Sequence, residues 1–363
     1  MKKDITSLDL FFLLKELQIL SGAKLDKVFQ KGKDFLFQLH VPSIGKKYLR
    51  VLLPGILYLT ETKDIGEVTD NFALALRKHV SNSRIKNIVQ KEFERIVEIE
   101  LENNKKIYIE LFSPGNIILC DLDEKIIMAV TYKGFGSRII RPSVLYSYPK
   151  KDYDFLQINE SELRKLLESS EKSSVVITLA TDLGLGGSYA EEICCRSNID
   201  GKKTSLEDKE IKRLHDVIQE IKKTIPNGFF YKTDNSIEIT PFKLSSSKMK
   251  FVEEESFNST IEKNINLLCI SKPTENKHLK EKEKLESIIK NQELRIEGLL
   301  KSADESQKKG ELIYLNYELI GHLIKELLKA KEKIPFKDIK EKLKGHKYVK
   351  DINEKEKKII LEI

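Results

Sequence analysis

Leucines fall at positions 10, 13, 14, 17 and 20, in the three- and four-residue steps that place all five on one helical face. The spacing predicts a helix over 6–21, and Thr6-Ser-Leu-Asp9 supplies the form of a capping box for its first turn. Beyond it the apolar period shortens to two. Alternation predicts strands at 27–40, 48–60, 94–101, 106–112, 116–121 and 125–132, separated by turn sequences such as Ser113-Pro-Gly-Asn116 and Asp121-Leu-Asp-Glu124. Helical spacing returns over Asn71 to Val80 and over 160–225, and Asn227 to Leu244 reads as a further β-hairpin turning at Thr233-Asp-Asn235. The pattern is an antiparallel meander with helices inserted.

From Leu279 the chain becomes rich in Lys and Glu. Leu285, Ile288, Gln292, Ile296, Leu299, Ala303, Ser306, Gly310, Ile313, Tyr317, Ile320, Ile324 and Leu327 form most of a heptad seam, which predicts one helix of a coiled-coil arm. A solvated helix lying on the globular part is the competing reading, because Gln292, Ser306 and Gly310 make the seam polar. Phe336 to Ile363 reads as a helix and then a strand, Ile359-Ile-Leu-Glu-Ile363. An apolar strand that stops without a partner is the mark expected of a piece of a longer chain.

Composition narrows the class. At 363 residues the chain has room for two or three domains, and 33% charged with 40% hydrophobic residues describes a globular protein with a strongly solvated portion. The net charge of +7 comes from 64 basic against 57 acidic residues, so a basic field must arise from local clustering. Such clusters occur at Arg77 and Lys78 on a predicted helix, and at Lys133 and Arg138 around a glycine-rich loop. Aromatics and glycines interleaved with these cations suit RNA backbone and unstacked bases. Four cysteines, two of them adjacent at Cys194 and Cys195, make neither a disulfide framework nor a metal knuckle, which points to a reducing compartment, the cytoplasm. No apolar run approaches the ~20 residues of a membrane span, and no cleavable signal opens the chain. Six histidines lack ligand spacing. With no nucleophile elbow, phosphate loop or paired acid and base, neither metal, cofactor nor catalytic residue is expected.

Two further features carry chemistry. In the predicted strand 94–101, period two puts Arg95 with Val97, Ile99 and Leu101, so this cation must find a carboxylate or line a groove that ligand reaches. Asp9 is the kind of partner that would hold its guanidinium flat, although each residue would serve equally as part of a structural ion pair or cap. The second feature is Asp182-Leu-Gly-Leu-Gly-Gly-Ser-Tyr, a helix end, a glycine turn and a new helix opened by Ser188. Gly184, Gly186 and Gly187 do not give a dinucleotide fingerprint, yet a glycine backbone at a helix start approaches phosphate closely.

The glycine segment resembles the helix-hairpin-helix of the NFACT family of ribosome quality-control factors. Ordered blocks extend the resemblance along the chain: Ile5-Thr-Ser-Leu-Asp9 followed by Ser21-Gly-Ala-Lys24, then Leu76-Arg-Lys-His79, Phe93-Glu-Arg-Ile-Val97, Leu111-Phe-Ser-Pro-Gly-Asn-Ile-Ile-Leu119 and Gly310-Glu-Leu-Ile-Tyr-Leu-Asn-Tyr317. The resemblance implies an α+β multidomain fold. Its parts would be a glycosylase-like N-terminal domain of antiparallel strands and helices over 1–170, a helix-hairpin-helix domain over 171–226 and a β-hairpin with connecting segment over 227–278. A coiled-coil helix over 279–331 and the start of a small tip domain over 332–363 would follow, the return helix and the C-terminal RNA-binding domain being absent.

The activity implied is binding to a large ribosomal subunit that still holds peptidyl-tRNA and a nascent chain, recruitment of charged tRNA, alanyl-tRNA in archaeal and bacterial members, and untemplated extension of the stalled chain. A ubiquitin ligase would be a partner only in a eukaryote. The family's tRNA-binding and tailing residues carry onto Asp9, Glu94 and Arg95, with Glu94 standing where the family has Asp. Arg77, Lys78, Lys133, Arg138, Gly186, Gly187 and Ser188 are the expected phosphate contacts. Peptide-bond formation would be the ribosome's, so a binding factor and not an enzyme is implied. Two other readings stand beside it: a nucleic-acid-processing enzyme of the glycosylase-like fold, disfavoured because Lys2 occupies the place of that fold's nucleophilic proline, and a surface fibronectin-binding protein.

Overall fold

Thr6 opens α1 (Ser7–Glu16) with the expected capping box: its hydroxyl accepts the Asp9 N–H at 3.1 Å, and the Asp9 carboxylate accepts the Thr6 N–H at 2.7 Å. The computed structural model describes residues 4–362 apart from 67–68, 136–137, 150, 233–236, 271–273, 335–337, 340–341, 344–345 and 354–357. Leu8, Leu10, Leu13, Leu14 and, in the 3-10 turn Leu17–Leu20, Leu17 and Leu20 are all buried, so the predicted apolar face is the one that sinks into the core. Each such leucine contributes about 1.5–3 kcal/mol relative to exposure.

The predicted runs 27–40 and 48–60 each contain a turn and divide into two strands. β1 (Lys24–Lys31), β2 (Asp34–Val41), β3 (Gly45–Leu52) and β4 (Ile56–Thr60) pair antiparallel in chain order. After α2 (Asn71–Val80), which lies on β1, a second antiparallel sheet runs β5 (Ile85–Gln90), β6 (Ile96–Leu101), β7 (Lys105–Glu110), β8 (Asn116–Asp121) and β9 (Ile126–Ala129). β5 was not expected from the pattern. A bulge between Ile85 and Asn87 interrupts its register, so its two buried residues, Ile85 and Ile88, stand three apart instead of two. Inner-face residues of both sheets, among them Phe35, Phe37, Val51, Val97, Ile99, Ile109 and Ile117, share one core with α1. Hydrogen bonds from Gly22 N to Ile85 O and from Leu25 N to Ser83 O, both 2.8 Å, stitch the sheets along one edge.

The short hairpin β10 (Lys133–Phe135) and β11 (Arg138–Ile140) follows, and Ile140 with Tyr146 covers the outer face of the second sheet at Ile96, Tyr108, Ile118 and Ile126. The helical stretch divides into α3 (Glu160–Ser169), α4 (Val175–Thr181), α5 (Gly187–Arg196) and α6 (Asp208–Lys223). The expected hairpin is β12 (Gly228–Lys232) with β13 (Ile237–Thr240); its predicted turn at Thr233-Asp-Asn235 lies outside the described residues. β14 (Phe251–Glu254) joins the other side of β12, and α7 (Phe257–Lys263) and α8 (Ile265–Ile270) end this unit.

The chain divides into two compact units, 1–272 and 273–363. In the second, α9 (Thr274–Leu315) has 42 residues, about 63 Å at 1.5 Å per residue, and α10 (Tyr317–Lys333) follows a break at Asn316. Ile296, Leu299, Ile313, Tyr317 and Ile324 of the seam are exposed, while Ile320 is buried. The terminal strand is not without a partner: β15 (Val349–Asn353) and β16 (Lys358–Leu361) form an antiparallel hairpin with Ile352 opposite Ile359. No helix among the described residues is long and apolar enough to cross a membrane.

Candidate nucleic-acid interface

Asp9 is fully buried, and both of its oxygens are engaged. Oδ2 accepts the Thr6 N–H and, at 2.8 Å, the Thr6 hydroxyl; Oδ1 accepts a short hydrogen bond from the hydroxyl of Tyr189 on α5. Burial, and then the charge of Asp9, push the Tyr189 hydroxyl well above its usual range, so it remains a donor. The expectation that Asp9 orients Arg95 is therefore corrected. Asp9 faces the glycine hairpin, and the Arg95 guanidinium makes no hydrogen bond or ion pair among the described residues.

Arg95 also lies one residue before β6 and not within it, because the chain reaches the strand through a tight turn. Glu92 and Phe93 adopt left-handed backbone, with φ of 42° and 53°, a conformation costing about 1–3 kcal/mol at a non-glycine residue. Tertiary contacts hold it. Phe93 is buried and stacks on Phe155 at 4.5 Å, while Gln90 Nε2 donates to Ser7 O and to Glu94 O, each at 2.9 Å. Gln90 thus ties the start of α1 to the turn that carries Glu94 and Arg95.

The hairpin reaches the same place from the other side. Glu94 pairs with Lys151 at 3.3 Å, and a methyl group placed on Gly184 would stand 2.3 Å from that ammonium nitrogen. Gly184 has φ +74°, so its backbone and the amine against it both favour glycine. Gly186, at φ +81°, lies beside Thr6: a methyl group there would be 3.6 Å from Thr6 Cγ2. Gly187 is exposed and Ser188 half-buried at the start of α5, where a helix leaves its first N–H groups without intrahelical partners. The structure accordingly brings Glu94, Arg95, the buried Asp9 and the glycine hairpin into one neighbourhood.

The outlying basic candidates differ among themselves. Arg77 is half-buried, with Nε donating to Val28 O at 2.7 Å and its guanidinium 5.0 Å from the Phe29 ring; Lys78 is exposed. Arg138 is bonded to Glu110 and donates from Nε to Ser147 O at 2.6 Å, so its charge is already spent within the fold. Only the backbone of Lys133 is described. Gln90, Lys151 and Tyr189, which hold the site together, were not foreseen, since each acts through a partner far away in the sequence: Ser7, Glu94 and Asp9 in turn.

A family model for the NFACT N-terminal and middle domains matches residues 6–350. The whole chain is 28% identical to the archaeal Rqc2 homolog aRqcH of Methanocaldococcus jannaschii, and 91% of it is 24% identical to the ribosome quality control complex subunit NEMF of Homo sapiens. It spans 58% of the former's length and 34% of the latter's. Among solved structures, a fibrinogen binding protein from Staphylococcus aureus superposes with a TM-score of 0.60 at 19% identity, covering 71% of this chain and 97% of that one. The N-terminal part of a fibronectin/fibrinogen-binding protein from Streptococcus suis gives 0.60 at 21%, covering 72% and 99%. At such identities the likeness concerns the fold alone.

Proposed function

The chain belongs to the NFACT family, and we propose from this membership that it is a ribosome-associated quality-control factor that binds obstructed large subunits, recruits charged tRNA and promotes untemplated tailing of the stalled chain. The names of its relatives from Methanocaldococcus jannaschii and Homo sapiens support the first part. One observation supports the tRNA contact: Arg95, whose guanidinium makes no hydrogen bond or ion pair among the described residues, follows a strained, tertiary-held turn and adjoins Glu94, which Lys151 links to the glycine hairpin. Arg95 would meet an RNA phosphate or base, Lys78 and the start of α5 at Gly186, Gly187 and Ser188 would add phosphate contacts, and Asp9 and Glu94 would position these groups. Residues 171–226 would act as the helix-hairpin-helix domain and 279–331 as a coiled-coil arm reaching the subunit. The protein would work in the cytoplasm as a binding factor, the ribosome supplying the peptide-bond chemistry.

Sedimentation with purified large subunits carrying peptidyl-tRNA, followed by sequencing of the tRNA in the pellet, tests this reading. The expected result is co-sedimentation that enriches one charged tRNA. A chain that stays in the supernatant, or a pellet with no tRNA beyond the peptidyl-tRNA, would overturn it.

A further inference from the structure

On the far side of β7 from the shared core lies a cleft of about 470 Å³, bordered by Glu110, Phe112, Pro114, Arg138, Tyr148 and Pro149 among others. Glu110 is its unusual member. The side chain is only 3% exposed, and its Oε1 alone receives both the Tyr146 hydroxyl, at 2.9 Å, and the Arg138 guanidinium. Its second oxygen, Oε2, has no hydrogen-bond partner among the described residues. Unlike Gln90 Oε1 and Glu238 Oε1, this oxygen is not sealed from solvent, so it can exchange water for a ligand's N–H donor. Arg138 balances its charge, so the lining suits a neutral polar ligand better than an ion. The walls favour a ring: Tyr108 and Tyr146 stack at 4.0 Å, Tyr146 and Tyr148 at 6.0 Å, and Tyr148 and Phe112 both border the cleft.

We infer that this cleft takes one unstacked nucleobase of single-stranded RNA, held against Tyr148 and Phe112 with an exocyclic amino group donating to Glu110 Oε2. Stacking supplies affinity for any base, and the carboxylate selects. Adenine, cytosine and guanine each carry an amino group; uracil presents its single N–H between two carbonyl oxygens that the carboxylate repels. The inference rests on the RNA-binding reading and adds a base-selective subsite to it.

Fluorescein-labelled hexamers of oligo(A), oligo(C) and oligo(U), titrated into the whole chain, provide the test, with ultraviolet crosslinks mapped by mass spectrometry. Oligo(A) and oligo(C) should bind about tenfold tighter than oligo(U), as expected for one buried hydrogen bond to a charged group, and crosslink to peptides holding Phe112 or Tyr148. Tyr148→Leu, which leaves the Glu110–Arg138 pair in place, should weaken all three by about fivefold or more and keep their order. Glu110→Gln, checked for folding by circular dichroism, should erase the order, because the amide can donate to uracil. Equal binding of the three hexamers, or crosslinks and affinities untouched by Tyr148→Leu, would overturn the inference. If tRNA still binds in that case, the cleft assignment alone falls; if the wild-type chain binds no RNA, the RNA reading falls with it.

Discussion

Asp9 and Arg95 were both visible in the sequence as residues of interest, yet they do different work. Asp9 is locked between Thr6 and Tyr189, so its loss is a structural event. Tyr189→Phe leaves a buried carboxylate oxygen without that donor and should lower unfolding stability by about 1–3 kcal/mol in urea. The Arg95 guanidinium makes no hydrogen bond or ion pair among the described residues, and Arg95→Ala should change stability by no more than about 0.5 kcal/mol. The thiols divide in a similar way. Burial, then the charge of Asp200, pushes Cys194 up to about 11, and burial, then Glu124, pushes Cys120 up to about 12, while Cys195 is exposed. The thiolate is the reactive form, so at pH 8 iodoacetamide should modify Cys195 and spare Cys120 and Cys194 until the protein is denatured, as peptide mapping would record. Sequence identified Asp9 through its helix cap, a contact three residues long; it could not identify Tyr189, 180 residues away, because nothing local marks a tyrosine as a carboxylate's donor.

Legibility at the level of elements followed the same division between local and distant. α2 emerged with its predicted limits and α1 with its predicted start, because helical period and caps are local signals, while the last part of the predicted run tightened into the 3-10 turn Leu17–Leu20. β5 was hidden by its bulge, and β6 begins after Arg95 because Gln90 and Phe93, through tertiary contacts, hold the turn before it. The glycine hairpin was legible as a turn, but its neighbours were not. Gly184→Ala should cost about 1–2 kcal/mol for a side chain at positive φ, and should also displace Lys151 from Glu94. In a double-mutant cycle with Lys151→Met the combined loss should therefore be smaller than the sum; strict additivity would show that the amine and the glycine do not meet.

Across the molecule, the first unit holds the shared apolar core and the second carries the exposed apolar residues of α9 and α10. An exposed seam of that kind is suited to a partner, and the heptad pattern proposes a coiled coil. A chain ending at residue 272 should keep a cooperative unfolding transition and its tRNA contact while losing most of its affinity for the large subunit. Equal subunit affinity of the shortened chain would remove the arm from the account. The central claim is that Arg95 grips tRNA from a turn the rest of the fold holds in place. It is tested most directly by pelleting wild-type and Arg95→Ala chains with large subunits and quantifying the recruited tRNA in each pellet. The account predicts equal amounts of protein in both pellets and at least about tenfold less recruited tRNA with Arg95→Ala, the loss of one charge-assisted contact. Unchanged tRNA in the Arg95→Ala pellet, or joint loss of protein and tRNA, would contradict it.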